Sequence, residues 1–263
     1  MKSVNTNAKT SDSREEWLFD NIRFYILLLA LVLSMLIVSY TRTSIVSDGL
    51  FMIRTQQIYA FVAMGFWYLA LLATPLVFVF GDTKLMNLYL FARLALGVSG
   101  TYFAGLHMLF GVFGQLGGWS GIMSLPDKFL QAVVLGVVAM TMLVVMAMTA
   151  FDRVIQKLTF RRWQWLQRLV YPAVVLALFH AWIIGTHLQY IWPRIIMLTL
   201  IGLLVVLETW RLSFGIERLS GVTDKGLRWT IFIAISLLFV GASVYVPMQI
   251  PRYHDEVHSG VHE

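Results

Sequence analysis

Long apolar runs follow one another along the chain and are separated by short polar stretches. A helix needs about 20 apolar residues to cross a bilayer, because hydrocarbon offers no partner to an unpaired backbone group. The pattern predicts an all-α integral membrane protein, a bundle of about seven transmembrane helices. Only a short turn near Tyr190 separates the fifth run from the sixth, so six spans is the alternative. The runs are 24–40, 57–80, 88–113, 129–150, 169–187, 191–210 and 229–248.

Charged residues lie mainly outside these runs and divide the chain into three parts. Only 13% of the 263 residues are charged, against about 25% in a soluble domain. The polar segment 1–22 is predicted to be cytoplasmic, 23–250 to form the transmembrane domain, and 251–263 to form an outer tail that carries histidines. The first run is too long for a signal-peptide core, so we expect it to remain as a membrane anchor.

Basic residues between the runs indicate the orientation. Lys and Arg concentrate in 151–168 and 211–228, and such loops face the cytoplasm. This places the N-terminus inside and the C-terminus outside, with the loop 41–56 as an exception because it carries Arg42 and Arg54 outside. The same rule accounts for the net charge of +6, so we expect a bilayer and no nucleic acid as partner.

Several kinds of chemistry are excluded by what the sequence lacks. There is no cysteine, which excludes disulfides, iron–sulfur clusters and thiolate metal sites. No GxGxxG motif follows a strand pattern, so we expect no nicotinamide site of the dinucleotide-binding type.

Histidines within the spans are the first candidates for chemistry. His107 in span three and His180 in span five are predicted to lie at similar depth, because these two spans run in the same direction. Two imidazoles at one depth can ligate one haem iron, or each can be a core residue that hydrogen-bonds across helices. His187 lies at the outer boundary, where a haem-propionate partner, a substrate contact and a plain interfacial residue are all open.

A second group of histidines lies in the tail. His254, His258 and His262 recur at every fourth position, which would place them on one face of a helix. They could bind a metal ion. Ser259 and Gly260 weaken a helix here, and short termini are often disordered, so both interpretations remain open.

Three stretches of the chain resemble the ferric reductase-like transmembrane family. They are YLALLATPL at 68–76, ARLALGVSGTYFAGLH at 92–107 and RRWQWLQRLVYPAVVLALFHAW at 161–182. Within the family, the resemblance is greatest to the haem-binding membrane subunits of bacterial methionine sulfoxide reductase systems. It implies a core at about 57–210, a multi-pass protein of the bacterial cytoplasmic membrane, and one haem b whose iron His107 and His180 ligate.

The chain departs from the family pattern at two positions. The family usually carries a histidine within LHRLVY, where this chain has Gln167, and members with two haems carry another histidine near the position of Arg93. A guanidinium has no lone pair for a metal. The sequence therefore predicts one haem near the outer face, with Arg93 and Gln167, like His187, as possible secondary contacts.

The resemblance implies an electron-transfer subunit of an oxidoreductase and not a self-sufficient enzyme. Electrons would pass through the haem to a partner protein or acceptor, and a flavin would enter only through a partner. The alternative is a non-redox membrane subunit that retains the fold and has lost the haem.

Overall fold

The computed structural model describes residues 6–185, 188, 191–215 and parts of 226–241. All regular elements in these ranges are helical, and no strand occurs among them. The chain divides into two compact units, Met1–Gln115 and Leu116–Glu263. The elements are α1 (Thr6–Ser44), α2 (Asp48–Phe80), α3 (Lys84–Leu109), a π-helical segment (Phe110–Gln115), α4 (Trp119–Met123), α5 (Asp127–Met148), α6 (Asp152–Lys157), α7 (Phe160–Gln167), α8 (Val170–Ile184) and α9 (Ile191–Gly215).

Six helical stretches of the described chain are long and apolar enough to cross a membrane. They overlap the first six predicted runs and confirm a helical, multi-pass membrane protein, although the second and the fifth stretch begin nine residues earlier than predicted, at Asp48 and Phe160. Most of the seventh run, 229–248, and all of the tail 251–263 lie outside the described residues. The six stretches are Asn21–Ser44, Asp48–Phe80, Lys84–Gln115, Asp127–Met148, Phe160–Ile184 and Pro193–Ser213.

The interpretation of 41–56 as a loop was wrong, because most of it is helical. Only 45–47 separate α1 from α2. Asp48 places a carboxylate in the first turn of α2, where the helix dipole favours negative charge, and it forms an ion pair of 2.5 Å with Arg42 at the end of α1. Phe51 and Thr55 are buried in the part of α2 that was predicted to be a loop.

In the first unit, α1, α2 and α3 pack around an aromatic core. Phe103 of α3 is fully buried, and its ring lies 5.7 Å from that of Tyr59 and 5.6 Å from that of Phe66. Gly100 lets α3 approach α2 closely, since a Cβ there would lie 2.4 Å from Cδ1 of Trp67.

In the second unit, α5 packs on α8 and also contacts α7. Ala132 and Ala139 of α5 and Ala173 of α8 are buried, and small side chains allow membrane helices to pack closely. Arg211 of α9 donates to the hydroxyl of Tyr171 on α8 at 3.1 Å.

Candidate functional site

His107 lies in the last turn of α3, directly before the π-helical segment. Its Nδ1 is 3.1 Å from the backbone carbonyl oxygen of Gln56 on α2. A carbonyl oxygen can only accept, so Nδ1 carries the hydrogen. In a neutral imidazole the lone pair is then on Nε2, which is the atom that a metal would use.

The π-helical segment adjoins the part of α2 that contains Gln56. A Cβ at Gly111 would lie 2.8 Å from Nε2 of Gln56, and a Cβ at Gly114 would lie 3.0 Å from Cβ of Met52. Two glycines thus allow this segment to pack directly on α2. Segments of π-helix are rare and occur frequently at functional sites.

His180 of α8 has the same kind of partner in the other unit. Its Nδ1 is 2.8 Å from the backbone carbonyl oxygen of Ala132 on α5. The hydrogen is again on Nδ1 and the lone pair of the neutral ring on Nε2. One turn further along α5, a Cβ at Gly136 would lie 2.7 Å from Nδ1 of His180, so glycine provides the space for the imidazole.

Both histidines therefore have the hydrogen-bonding pattern that is usual for metal ligands. A histidine that binds a metal nearly always donates its other ring N–H to a carbonyl or carboxylate, which fixes the tautomer and the ring orientation. A core histidine can form the same bond. Throughout the described ranges there is no group of three or more His, Asp or Glu residues that could hold a metal ion; a haem needs at most two ligands from the protein, because the porphyrin supplies the others.

Gln167 connects α7 to α5 through hydrogen bonds. Its Nε2 donates to Oγ1 of Thr149 at 3.0 Å and lies 3.5 Å from the carbonyl oxygen of Met146. Arg93 of α3 donates from Nη1 to Oγ1 of Thr74 on α2 at 2.7 Å. Both side chains thus connect neighbouring helices, and their role as secondary contacts of a haem stays a prediction.

The other histidines that the sequence singled out lie outside the described residues. This holds for His187 and for His254, His258 and His262 of the tail. The interpretations of the tail as a metal site and of His187 as a boundary contact stay predictions.

A groove in the first unit was not predicted from the sequence. It has a volume of about 570 Å³ and runs between α1 and α3, with Tyr59 of α2 among its lining residues. Ser34, Ser39 and Thr43 line it from α1. Two of these hydroxyl residues, Ser34 and Ser39, interrupt the apolar run 24–40, and they were the available signal. By contrast, no sequence signal marks the carbonyl groups of Gln56 and Ala132 as partners of the histidines.

Comparisons with known proteins give no match, whether with protein-family models, curated proteins or solved structures.

Proposed function

We propose that this chain is the membrane b-type cytochrome subunit of an oxidoreductase, with one haem b ligated through Nε2 of His107 and Nε2 of His180. One observation carries the proposal. Each of the two intramembrane histidines donates Nδ1–H to a backbone carbonyl of a neighbouring helix, which leaves the lone pair of the neutral ring on the atom that binds iron. That both histidines bind the same iron, near the outer face, is a prediction from the sequence.

The hydrogen-bond partner of each histidine holds its imidazole ring in one orientation, as a metal ligand requires. A backbone carbonyl cannot rotate away as a side chain can, so the bonds to Gln56 and Ala132 hold each ring in one tautomer. Donation from Nδ1 also raises the basicity of the imidazole. Bound haem would supply a one-electron redox couple, and the protein adjusts its potential through the axial ligands and their hydrogen bonds.

A partner protein or other acceptor is part of this proposal. The chain would act as the electron-transfer subunit, and any flavin would belong to the partner. The likeness to the ferric reductase-like transmembrane family supports this assignment through the stretches 68–76, 92–107 and 161–182.

We also propose seven spans in the bacterial cytoplasmic membrane, with the N-terminus inside and the C-terminus outside. The apolar run 229–248 supports the seventh span. The basic segments 151–168 and 211–228 support the orientation, because basic loops stay on the cytoplasmic side.

The second candidate function is a non-redox membrane subunit that keeps this fold without haem. The bonds of Gln167 to Thr149 and of Arg93 to Thr74 favour it. At both positions where the family can carry a haem ligand, this chain has a side chain that stabilises helix packing instead.

A reduced-minus-oxidised absorption spectrum of the purified protein separates the two candidates. We expect b-type bands in the wild type from cells supplied with haem, and their loss in His107→Ala and in His180→Ala. His187→Ala is the matched control and should retain the bands. A colourless wild type, or bands that survive both substitutions, would favour the non-redox subunit.

A further inference from the structure

The short helix α7 is attached to the end of α5 by one of its faces. Trp163 donates from Nε1 to the carbonyl oxygen of Thr149 at 3.2 Å, and Gln167 donates from Nε2 to Oγ1 of the same residue at 3.0 Å. Trp163 and Gln167 are four residues apart and therefore lie on the same side of the helix. This leaves the opposite side of α7 turned away from α5.

That opposite side, which we call the basic face of α7, consists of Arg161, Arg162, Trp165 and Arg168. All four are exposed, and Trp165 retains 62% of its accessible surface. The guanidinium of Arg168 lies 4.8 Å from the centre of the Trp165 ring, within the range of a cation–π contact. Cations and an aromatic ring thus form one continuous surface.

The basic face lies at the end of two candidate membrane spans. α5 ends at Met148, directly before the residue to which α7 is attached. α8 begins at Val170, after the two residues that follow α7. The candidate span Phe160–Ile184 contains both helices in 25 residues, which cover about 37 Å, more than the hydrocarbon thickness of about 30 Å. Its first residues, those of α7, therefore extend towards the headgroups at this end.

The charge around this face is mainly positive. The segment 151–168 contains five basic residues and one acidic residue, Asp152. The basic residues are Arg153, Lys157, Arg161, Arg162 and Arg168. A phosphate group can accept paired hydrogen bonds from a guanidinium, while the ring of a tryptophan is favoured at the level of the headgroups. A lipid presents both environments together, whereas an acidic protein surface would leave Trp165 without a matching apolar contact.

We propose that the basic face of α7 binds an anionic phospholipid headgroup. The guanidinium groups of Arg161, Arg162 and Arg168 contact the phosphate, and Trp165 lies at the level of the glycerol. The face would then set the depth of this end of the protein in the bilayer and enrich anionic lipid beside α5 and α8. This inference is independent of haem.

The absence of native cysteine permits a local test. Gln164→Cys places one thiol at an exposed position of α7, and a fluorophore on it is quenched on contact by lipids that carry bromine on the upper acyl chain. The labelled full-length chain is reconstituted into vesicles with equal fractions of brominated phosphatidylglycerol or brominated phosphatidylcholine. We expect stronger quenching by phosphatidylglycerol.

Neutralising the three arginines gives the decisive comparison. Arg161→Gln, Arg162→Gln and Arg168→Gln together should lower the preference for phosphatidylglycerol at least fivefold, since about fivefold is what one basic residue near the surface contributes. The same three positions changed to Lys should retain most of the preference. If the triple Gln variant loses its helical circular dichroism, Arg161→Gln and Arg168→Gln are measured singly, and each should lower the preference.

A control with the same loss of charge elsewhere is Arg54→Gln, Lys84→Gln and Lys128→Gln, at exposed positions. It should leave the quenching at position 164 unchanged. Equal quenching by the two lipids in the wild type would overturn the proposal and favour a protein partner for this face. An equal drop in the control would also overturn it, because net charge alone would then explain the preference.

Discussion

Gly136 of α5 provides the space for the imidazole of His180 on α8: a Cβ at position 136 would lie 2.7 Å from Nδ1 of the histidine. The ring is held there by the carbonyl oxygen of Ala132, one turn earlier on the same helix, at 2.8 Å. α5 thus contributes both the hydrogen-bond acceptor and the space that set the position of this candidate ligand.

The first prediction follows from this contact. Gly136→Ala should displace the imidazole and weaken its bond to Ala132, so haem binding should fall by about 10- to 100-fold, the usual cost of disturbing the groups behind a metal ligand. Haem retained per mole of purified protein during a haem-free wash measures the effect.

Its control is Gly97→Ala, because an added Cβ at position 97 meets nothing within 4 Å. This variant should retain haem as the wild type does. If Gly136→Ala retains haem equally well, the space at position 136 does not set the position of a haem ligand.

The second prediction concerns the packing of α2 on α3 and does not involve haem. Gly100→Ala should lower the free energy of unfolding by about 1–3 kcal/mol, the usual cost of overpacking, because its Cβ would lie 2.4 Å from Cδ1 and 2.5 Å from Nε1 of Trp67. Denaturation in detergent, followed by circular dichroism, gives the difference. Gly97→Ala is again the control, and an equal loss there would show that the contact with Trp67 is not the cause.

The third prediction tests what Gln167 does. Gln167→Ala and Thr149→Val should each destabilise the protein by about 1 kcal/mol, and the double variant should lose less than the sum of the two, because they remove the same hydrogen bond of 3.0 Å. A double-mutant cycle of unfolding free energies measures this coupling. Fully additive losses would contradict it. Haem content should be unchanged in Gln167→Ala; a loss would instead make this side chain a contact of the haem.

The fourth prediction tests the proposed orientation. Ser120→Cys and Gln156→Cys each introduce one thiol at an exposed position of a chain without cysteine. A maleimide that cannot cross membranes should label position 120 in intact cells and position 156 only after permeabilisation. The reverse pattern would invert the topology, and labelling of both in intact cells would exclude a span between them.

Much of the fold could be predicted from the sequence because apolar length is a strong signal in a membrane protein. Without water, the backbone of an apolar run must form a helix, and all six runs within the described part of the chain are helices. The start of α2 could not be predicted in this way. Polar residues such as Asp48 and Arg54 are typical of a loop. In the structure, Asp48 forms an ion pair with Arg42, and α2 begins at Asp48 and continues through Arg54.

The candidate site was only partly accessible from the sequence. His107 and His180 stand out as polar residues in apolar runs, but their partners are backbone carbonyls, which every residue has. The π-helical segment at Phe110–Gln115 depends on how α3 packs on α2 and has no short-range signature.

For Gln167, the residue type alone was misleading. Its residue type suggested an abandoned ligand, whereas its bond to Thr149 could be seen only in the folded chain.

Haem stoichiometry tests the central proposal most directly. A pyridine haemochrome assay on wild-type protein purified from cells supplied with haem, set against protein concentration, should give one haem b per chain, and His107→Ala and His180→Ala should give none. A wild type with no haem, or with two haems per chain, would contradict the account.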